Sequence, residues 1–197
     1  MTLKNHFVLY IFILMLSGCD NNDPQKEDVP EMITKVTLTF SGGGQQVTVT
    51  ATDPDGDGVQ NIQTDGTLSL SKDVEYLMTI ELINGLADPN DEAYNVTEEV
   101  AAESDEHMFF FGWTGNAFAS PAGDGNVDLR TDPVDYQDFD PQSLPLGLTT
   151  KWKTSDTPTK GATFRVMLKH QPDLKSASSK SSDGETDLDI SFPLEIK

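Results

Sequence analysis

The stretch ITKVTLTFSGGGQQVTVTAT, residues 33–52, decides the fold. Val36, Leu38 and Phe40 alternate with Lys35, Thr37 and Thr39, the period of a strand with one dry and one wet face. Ser41-Gly42-Gly43-Gly44 then supplies glycines where a reversal needs positive φ. Val47, Val49 and Ala51 resume the alternation against Gln46, Thr48 and Thr50, so the stretch reads as a β-hairpin.

The same period recurs outward from the hairpin. Val74, Tyr76, Met78, Ile80 and Leu82 form one stripe, Leu146, Leu148 and Trp152 another, and Phe164, Val166 and Leu168 a third. The last stripe is Leu188, Ile190, Phe192, Leu194 and Ile196, opposite Asp187, Asp189, Ser191 and Glu195. Pro193 falls inside it and has no N–H for a ladder, which places it at an edge or a bulge. Residues 107–113 (HMFFFGW) are apolar on both parities, as in a central strand covered on both faces. A helical pattern occurs only at 97–103 (TEEVAAE), with Thr97 as N-cap and Glu98 and Glu99 in the first turn. About seven to nine short strands predict an all-β fold, an immunoglobulin-like antiparallel β-sandwich over residues 33–197. Cys19 is the only cysteine, so no disulfide pins the two sheets together.

The charge is one-sided. Thirty-three acids against 13 Lys and Arg give a formal net charge of −20. Such a surface repels nucleic acid and anionic headgroups, so neither is expected as a partner. It suits solubility and repulsion between neighbours, or the binding of cations.

The first residues carry an address. Lys4 and His6 precede the apolar run Phe7–Leu16, and small residues follow, the pattern of a secretory signal. The run is too short to span a bilayer as a helix. Leu16-Ser17-Gly18-Cys19 resembles the lipobox of bacterial lipoproteins. The resemblance implies cleavage before Cys19 and diacylglycerol on its sulfur, so that the membrane is a partner through that residue. A cut there leaves 179 residues and, by removing Lys4 and no acid, a net charge of −21. Residues 20–31 (DNNDPQKEDVPE) are too polar to bury a core and read as a tether. The expected organisation is a signal peptide at 1–18, a lipidated Cys19 and acidic tether at 19–32, and a sandwich at 33–197. The tether also resembles the acidic stretch after the lipid-bearing cysteine in surface-exposed lipoproteins of the Bacteroidota. That implies the outer face of the outer membrane.

Four groups of residues carry candidate chemistry. Asp53-Pro54-Asp55-Gly56-Asp57-Gly58 matches the first half of a calcium loop, where alternate aspartates and a glycine turn carboxylates inward. Thr64 stands where an EF-hand has Glu, so Asn61, Asp65 or an acid from elsewhere would have to complete the site. The plainer alternative is an ordinary Asp/Gly turn. His107 shares parity with Phe109, Phe111 and Trp113, and His170 with Phe164, Val166 and Leu168. If the two strands are neighbours, both imidazoles reach one face near the rim. With a carboxylate such as Glu106 they could hold a transition metal or bracket a haem iron. The alternative is two unrelated strand-end histidines. Residues 88–106 hold eight acids and no Lys or Arg, which usually means a solvated, mobile loop. Aspartates around Tyr136 and Phe139 suggest either sugar recognition or a loop with its aromatics packed beneath it.

Catalysis finds little support. There is no G-x-S-x-G elbow and no P-loop, the one cysteine is committed to the lipobox, and no carboxylate pair stands out.

The phrases VTLTFSGGGQQVTVTATDPDGDG, VEYLMTIELING, ESDEHMFFF, VMLKHQPD and GETDLDISFPLEI resemble a family of small secreted lipoproteins of the Bacteroidota. The resemblance covers most of the chain after residue 33. It implies an envelope location and a β-rich fold, and it brings no biochemical activity with it. The expected function is a non-enzymatic binding or adhesion module, calcium-stiffened at Asp53, Asp55 and Asp57, for a protein, glycan or small-molecule ligand. The alternative is a metal- or haem-capturing lipoprotein, or a small hydrolase, using His107, His170 and the acidic loops.

Overall fold

The computed structural model describes residues 31–54, 56 and 62–197. The signal, Cys19 and the tether up to residue 30 lie outside the described residues, as do Asp55, Asp57 and Asn61.

The opening hairpin forms as its pattern requires. Strand β1 (Lys35–Gly42) pairs antiparallel with β2 (Gln45–Thr52), and Gly42 faces Gln45 across the turn. Gly43 and Gly44 make the reversal at φ of 56° and 72°, a conformation a Cβ would resist.

Eleven strands among the described residues make two sheets. The first runs β3 (Gln63–Asp65), β2, β1, β5 (Glu75–Ile83), β9 (Thr149–Thr154) and β7 (Phe118–Ser120). The two-residue β8 (Asp135–Tyr136) also pairs with β9. The second runs β4 (Leu68–Leu70), β11 (Glu185–Ile196), β10 (Thr159–His170) and β6 (His107–Trp113). Every pairing is antiparallel except β4 with β11. The fold is an all-β sandwich, as the alternating stripes require.

Aromatic rings fill the space between the sheets. Trp152 of the first sheet meets Trp113 and Phe164 of the second edge-on, with centroids 5.2 and 5.0 Å apart. Phe40 meets Phe164 at 5.8 Å in the same manner. Each of these geometries sets a positive ring edge against a negative ring face.

Three local expectations change. Strand β6 is fully buried, yet it is an edge strand. Its inner face joins the main core, and Met108 and Phe110 on the outer face pack with Val127 and Met167. Its open edge is closed by a loop. The Asn126 side chain accepts from Phe111 N–H at 2.8 Å, and Asn126 N–H donates to Phe111 O at 2.8 Å. Apolarity on both parities thus records cover on both faces, and a loop does the work expected of a neighbouring strand.

The helix, α1 (Val96–Ala102), starts after Asn95, and Thr97 is not its N-cap. The Thr97 hydroxyl instead donates to Leu82 O at 3.1 Å and accepts from Leu82 N–H at 2.7 Å. The segment 88–106 is therefore built structure, a 3₁₀ turn at Glu92–Tyr94 followed by α1. Tyr136 packs beneath its loop, donating to Phe109 O at 2.7 Å and accepting from Asn126 Nδ2 at 2.8 Å. Pro193 lies in β11, which is interior by order, but the β4 ladder covers only Leu194–Ile196. Beside Pro193 the strand has a local edge.

Candidate metal centre

His107 opens β6 and His170 closes β10, and the antiparallel register sets them directly opposite. Both sit on the core-facing parity, so both imidazoles turn into one end of the sandwich. The rings stack with centroids 4.7 Å apart and planes 10° from parallel. His107 is fully buried and His170 is 3% exposed.

The acids around them come from three directions. Helix α1 ends at Ala102, and the next turn delivers Glu103 and Glu106. Glu103, His107 and His170 each present a ligand-type atom within 4.8 Å of the others. His170 Nε2 lies 3.3 Å from Glu106 Oε2. His107 Nδ1 lies 3.2 Å from the Glu103 carbonyl. A carbonyl can only accept, so Nδ1 carries the proton and Nε2 keeps its lone pair. That nitrogen faces two further carboxylates, Glu31 Oε1 and Asp187 Oδ2, each 3.7 Å away.

Asp187 reaches the site because β11 is bulged there. Leu168 faces Leu188 and Lys169 faces Thr186, so Asp187 is the extra residue between two aligned pairs. A bulge re-aims the side chain of its extra residue. Asp187 consequently turns inward, although strict alternation puts it on the wet face.

The site is short of hydrogen bonds. Among the described residues, His107 Nε2 and both Asp187 carboxylate oxygens are buried without a hydrogen-bond partner. Buried polar atoms without partners are uncommon and costly, and an ion or ordered water is a usual reason for them. Burial, with the charges of Glu99 and Asp187 added, pushes the Glu31 carboxyl up to about 8. Burial likewise raises Asp187 to about 6 and, with His170 beside it, lowers His107 to about 4. The site thus presents a neutral imidazole to two carboxyls that burial has pushed above their ordinary range.

Two imidazoles and a carboxylate are a donor set for Zn²⁺, Cu²⁺ or Ni²⁺. The Nδ1–H bond to a backbone carbonyl is the usual way a metal-binding histidine is oriented. The rings stack face to face, so they do not oppose one another across a porphyrin plane.

Of the residues the sequence nominated, the structure brings His107, His170 and Glu106 together. Asp53 lies at the same end but apart from them: it is buried, its N–H donates to Thr34 O at 2.7 Å, and its Oδ1 accepts from Gly56 N–H at 3.3 Å. Asp65 is exposed and accepts from the Thr50 hydroxyl. Glu103, Glu31 and Asp187 were missed as site residues. Glu103 was one acid among eight, Glu31 read as tether, and a bulge leaves no mark in an alternating pattern.

No family model, curated protein or solved structure matches the chain.

Proposed function

We propose that the chain is an exported lipoprotein that works by non-enzymatic binding of a divalent transition-metal ion at Glu103, His107 and His170. One observation carries this reading. A fully buried imidazole directs an unprotonated nitrogen at carboxylates with which it makes no hydrogen bond. A divalent cation in that space would satisfy the lone pair and let the carboxyls ionise. The depth of the site favours an ion that is held over a substrate that comes and goes.

The location belongs to the same proposal. The LSGC phrase and the acidic stretch after it support a chain anchored through lipidated Cys19 in the outer membrane and exposed at the surface. The likeness to small Bacteroidota lipoproteins agrees with it.

The test is a Co²⁺ titration followed by its visible spectrum, in a Cys19→Ser background so that no thiol competes. One equivalent should bind with intense bands of low-symmetry, four-coordinate Co²⁺. His170→Gln should abolish the bands. A featureless spectrum in the unaltered site would end the metal reading and leave ordered water as the occupant.

A second ion is proposed at Asp53, Asp55 and Asp57, with Ca²⁺ suited to an all-oxygen loop. Calcium at a hundredfold excess over its Kd should stabilise by about 2.7 kcal/mol. Thermal melts with Ca²⁺ and with chelator, on the parent and on Asp57→Ala, measure it. An unchanged melting temperature would return the segment to an ordinary turn.

A further inference from the structure

The turn after α1 grips both histidines. Glu106 N–H donates to Glu103 O at 2.9 Å, and His107 Nδ1 faces that same carbonyl at 3.2 Å. Glu106 then binds the end of β10 twice. Its carbonyl accepts from Gln171 N–H at 2.6 Å, and its Oε2 lies 3.3 Å from His170 Nε2 in a hydrogen bond. The backbone bond fixes where the acid stands, and the side-chain bond fixes how the neighbouring ring is turned.

The two contacts place the ring protons oppositely. An ionised carboxylate only accepts, so a neutral His170 carries its proton on Nε2 and keeps its lone pair on Nδ1. His107 is the reverse, with its proton on Nδ1. Glu106 is also outside the group whose ligand-type atoms lie within 4.8 Å of one another, which is Glu103, His107 and His170. It stands behind a ligand and not among the ligands. A carboxylate in that position orients a metal-binding imidazole and makes it a stronger donor.

We infer that Glu106 is a positioning residue for the ion at Glu103, His107 and His170, holding the His170 proton on Nε2 so that Nδ1 is the nitrogen that meets the metal. This rests on the metal reading of the same site. The acid adds negative charge beside a dication without taking one of its coordination positions. Its side chain lines an open cavity of about 270 Å³ and not the aromatic core, so it can be shortened without opening a hole in the packing.

The experiment compares the full-length Cys19→Ser chain with the same chain carrying Glu106→Gln, whose amide oxygen can still accept, or Glu106→Ala, which has no acceptor. Zn²⁺ affinity is measured against a chromophoric chelator. Long-range ¹H–¹⁵N spectra of the imidazoles, followed through a Zn²⁺ titration, show which nitrogen of His170 keeps its proton. The His170 signals are assigned by their loss in His170→Gln. The parent should bind one Zn²⁺ through Nδ1 of His170 and retain the Nε2 proton. Glu106→Ala should lose roughly 10–100-fold in affinity, and Glu106→Gln should recover part of that loss. Coordination through Nε2, or equal affinity in the parent and Glu106→Ala, would overturn the positioning role and leave the ion site standing. A Gln variant as weak as the Ala variant would overturn it too, since charge and not orientation would then be at work. Absence of Zn²⁺ binding in the parent would overturn both the role and the metal reading.

Discussion

Lys175 and Asp140 bury opposite charges almost completely, at 1% and 0% side-chain exposure, with Nζ 3.1 Å from Oδ2. Lys175 also donates to Ser104 O at 2.6 Å, and Asp140 Oδ1 accepts from the N–H groups of Gln142 and Leu144. One ammonium thus fastens three loops beside the histidine end. Breaking one side of a buried pair leaves the other charge without compensation. Lys175→Met should therefore cost about 3–5 kcal/mol, measured by urea unfolding. Adding Asp140→Asn should recover part of the loss, because the amide oxygen can keep both backbone donors. A loss under about 1 kcal/mol would mean the pair is ornamental. Nothing in the spacing of residues 140 and 175 announces this contact. The histidines were legible by contrast, because parity alone puts His107 and His170 on the core face and strand neighbours then bring them together. Asp187 was illegible for the opposite reason: its parity is that of a solvent-facing residue, and only the bulge overrides it.

Among the elements, α1 and β6 best separate what a pattern can and cannot tell. The presence of α1 was readable, but not that Val96 and Val100 are the residues it buries. Nor was its attachment, because Thr97 looks the same as a cap or as a stitch. Beyond Thr79 the β9 ladder stops, and the Thr97 hydroxyl takes up both polar groups of Leu82. Thr97→Val keeps the shape and removes both bonds, so it should cost about 1–3 kcal/mol in chemical denaturation. A neutral result would show that water replaces the hydroxyl there.

Strand β6 makes the complementary case. Its composition gave the right burial and the wrong neighbour, since a chain pattern cannot distinguish a covering strand from a covering loop. Asn126 imitates a strand partner by giving and taking hydrogen bonds with Phe111. A Cβ at Gly125 would overlap the Phe111 carbonyl, so that closeness depends on glycine. Asn126→Ala should open this edge. The expected outcome is a loss of about 1–3 kcal/mol together with concentration-dependent association, followed by light scattering. A monomer of unchanged stability would show that Asn126 is not what closes the edge.

At the scale of the molecule, charge works against compaction. A net charge of −20 on 197 residues stores self-repulsion that folding must overcome. The repulsion is screened as the Debye length shrinks from about 30 Å at 0.01 M salt to about 3 Å at 1 M. The melting temperature should rise with NaCl across that range, and a flat or falling curve would mean that favourable ion pairs outweigh the excess. The architecture itself was readable because a two-sheet core forces period two on the long strands that are covered on one face only. The short strands β3, β4, β7 and β8 escaped because two or three residues cannot display a period.

The register of the strands also gives the molecule a direction. Strand β1 departs from Lys35, where the chain enters, and β11 departs from Glu185, beside the histidines. The twelve residues of β11 then span roughly 40 Å to the opposite pole. The Gly43–Gly44 reversal lies at that far pole, as do Gly115 and Asn116 beyond the end of β6. If the chain is anchored as proposed, the end where it enters the sandwich is the one nearer the bilayer and this far rim the one nearer the medium. On the proposed anchoring through Cys19, a surface scan for partners begins at the rim most distant from the histidines.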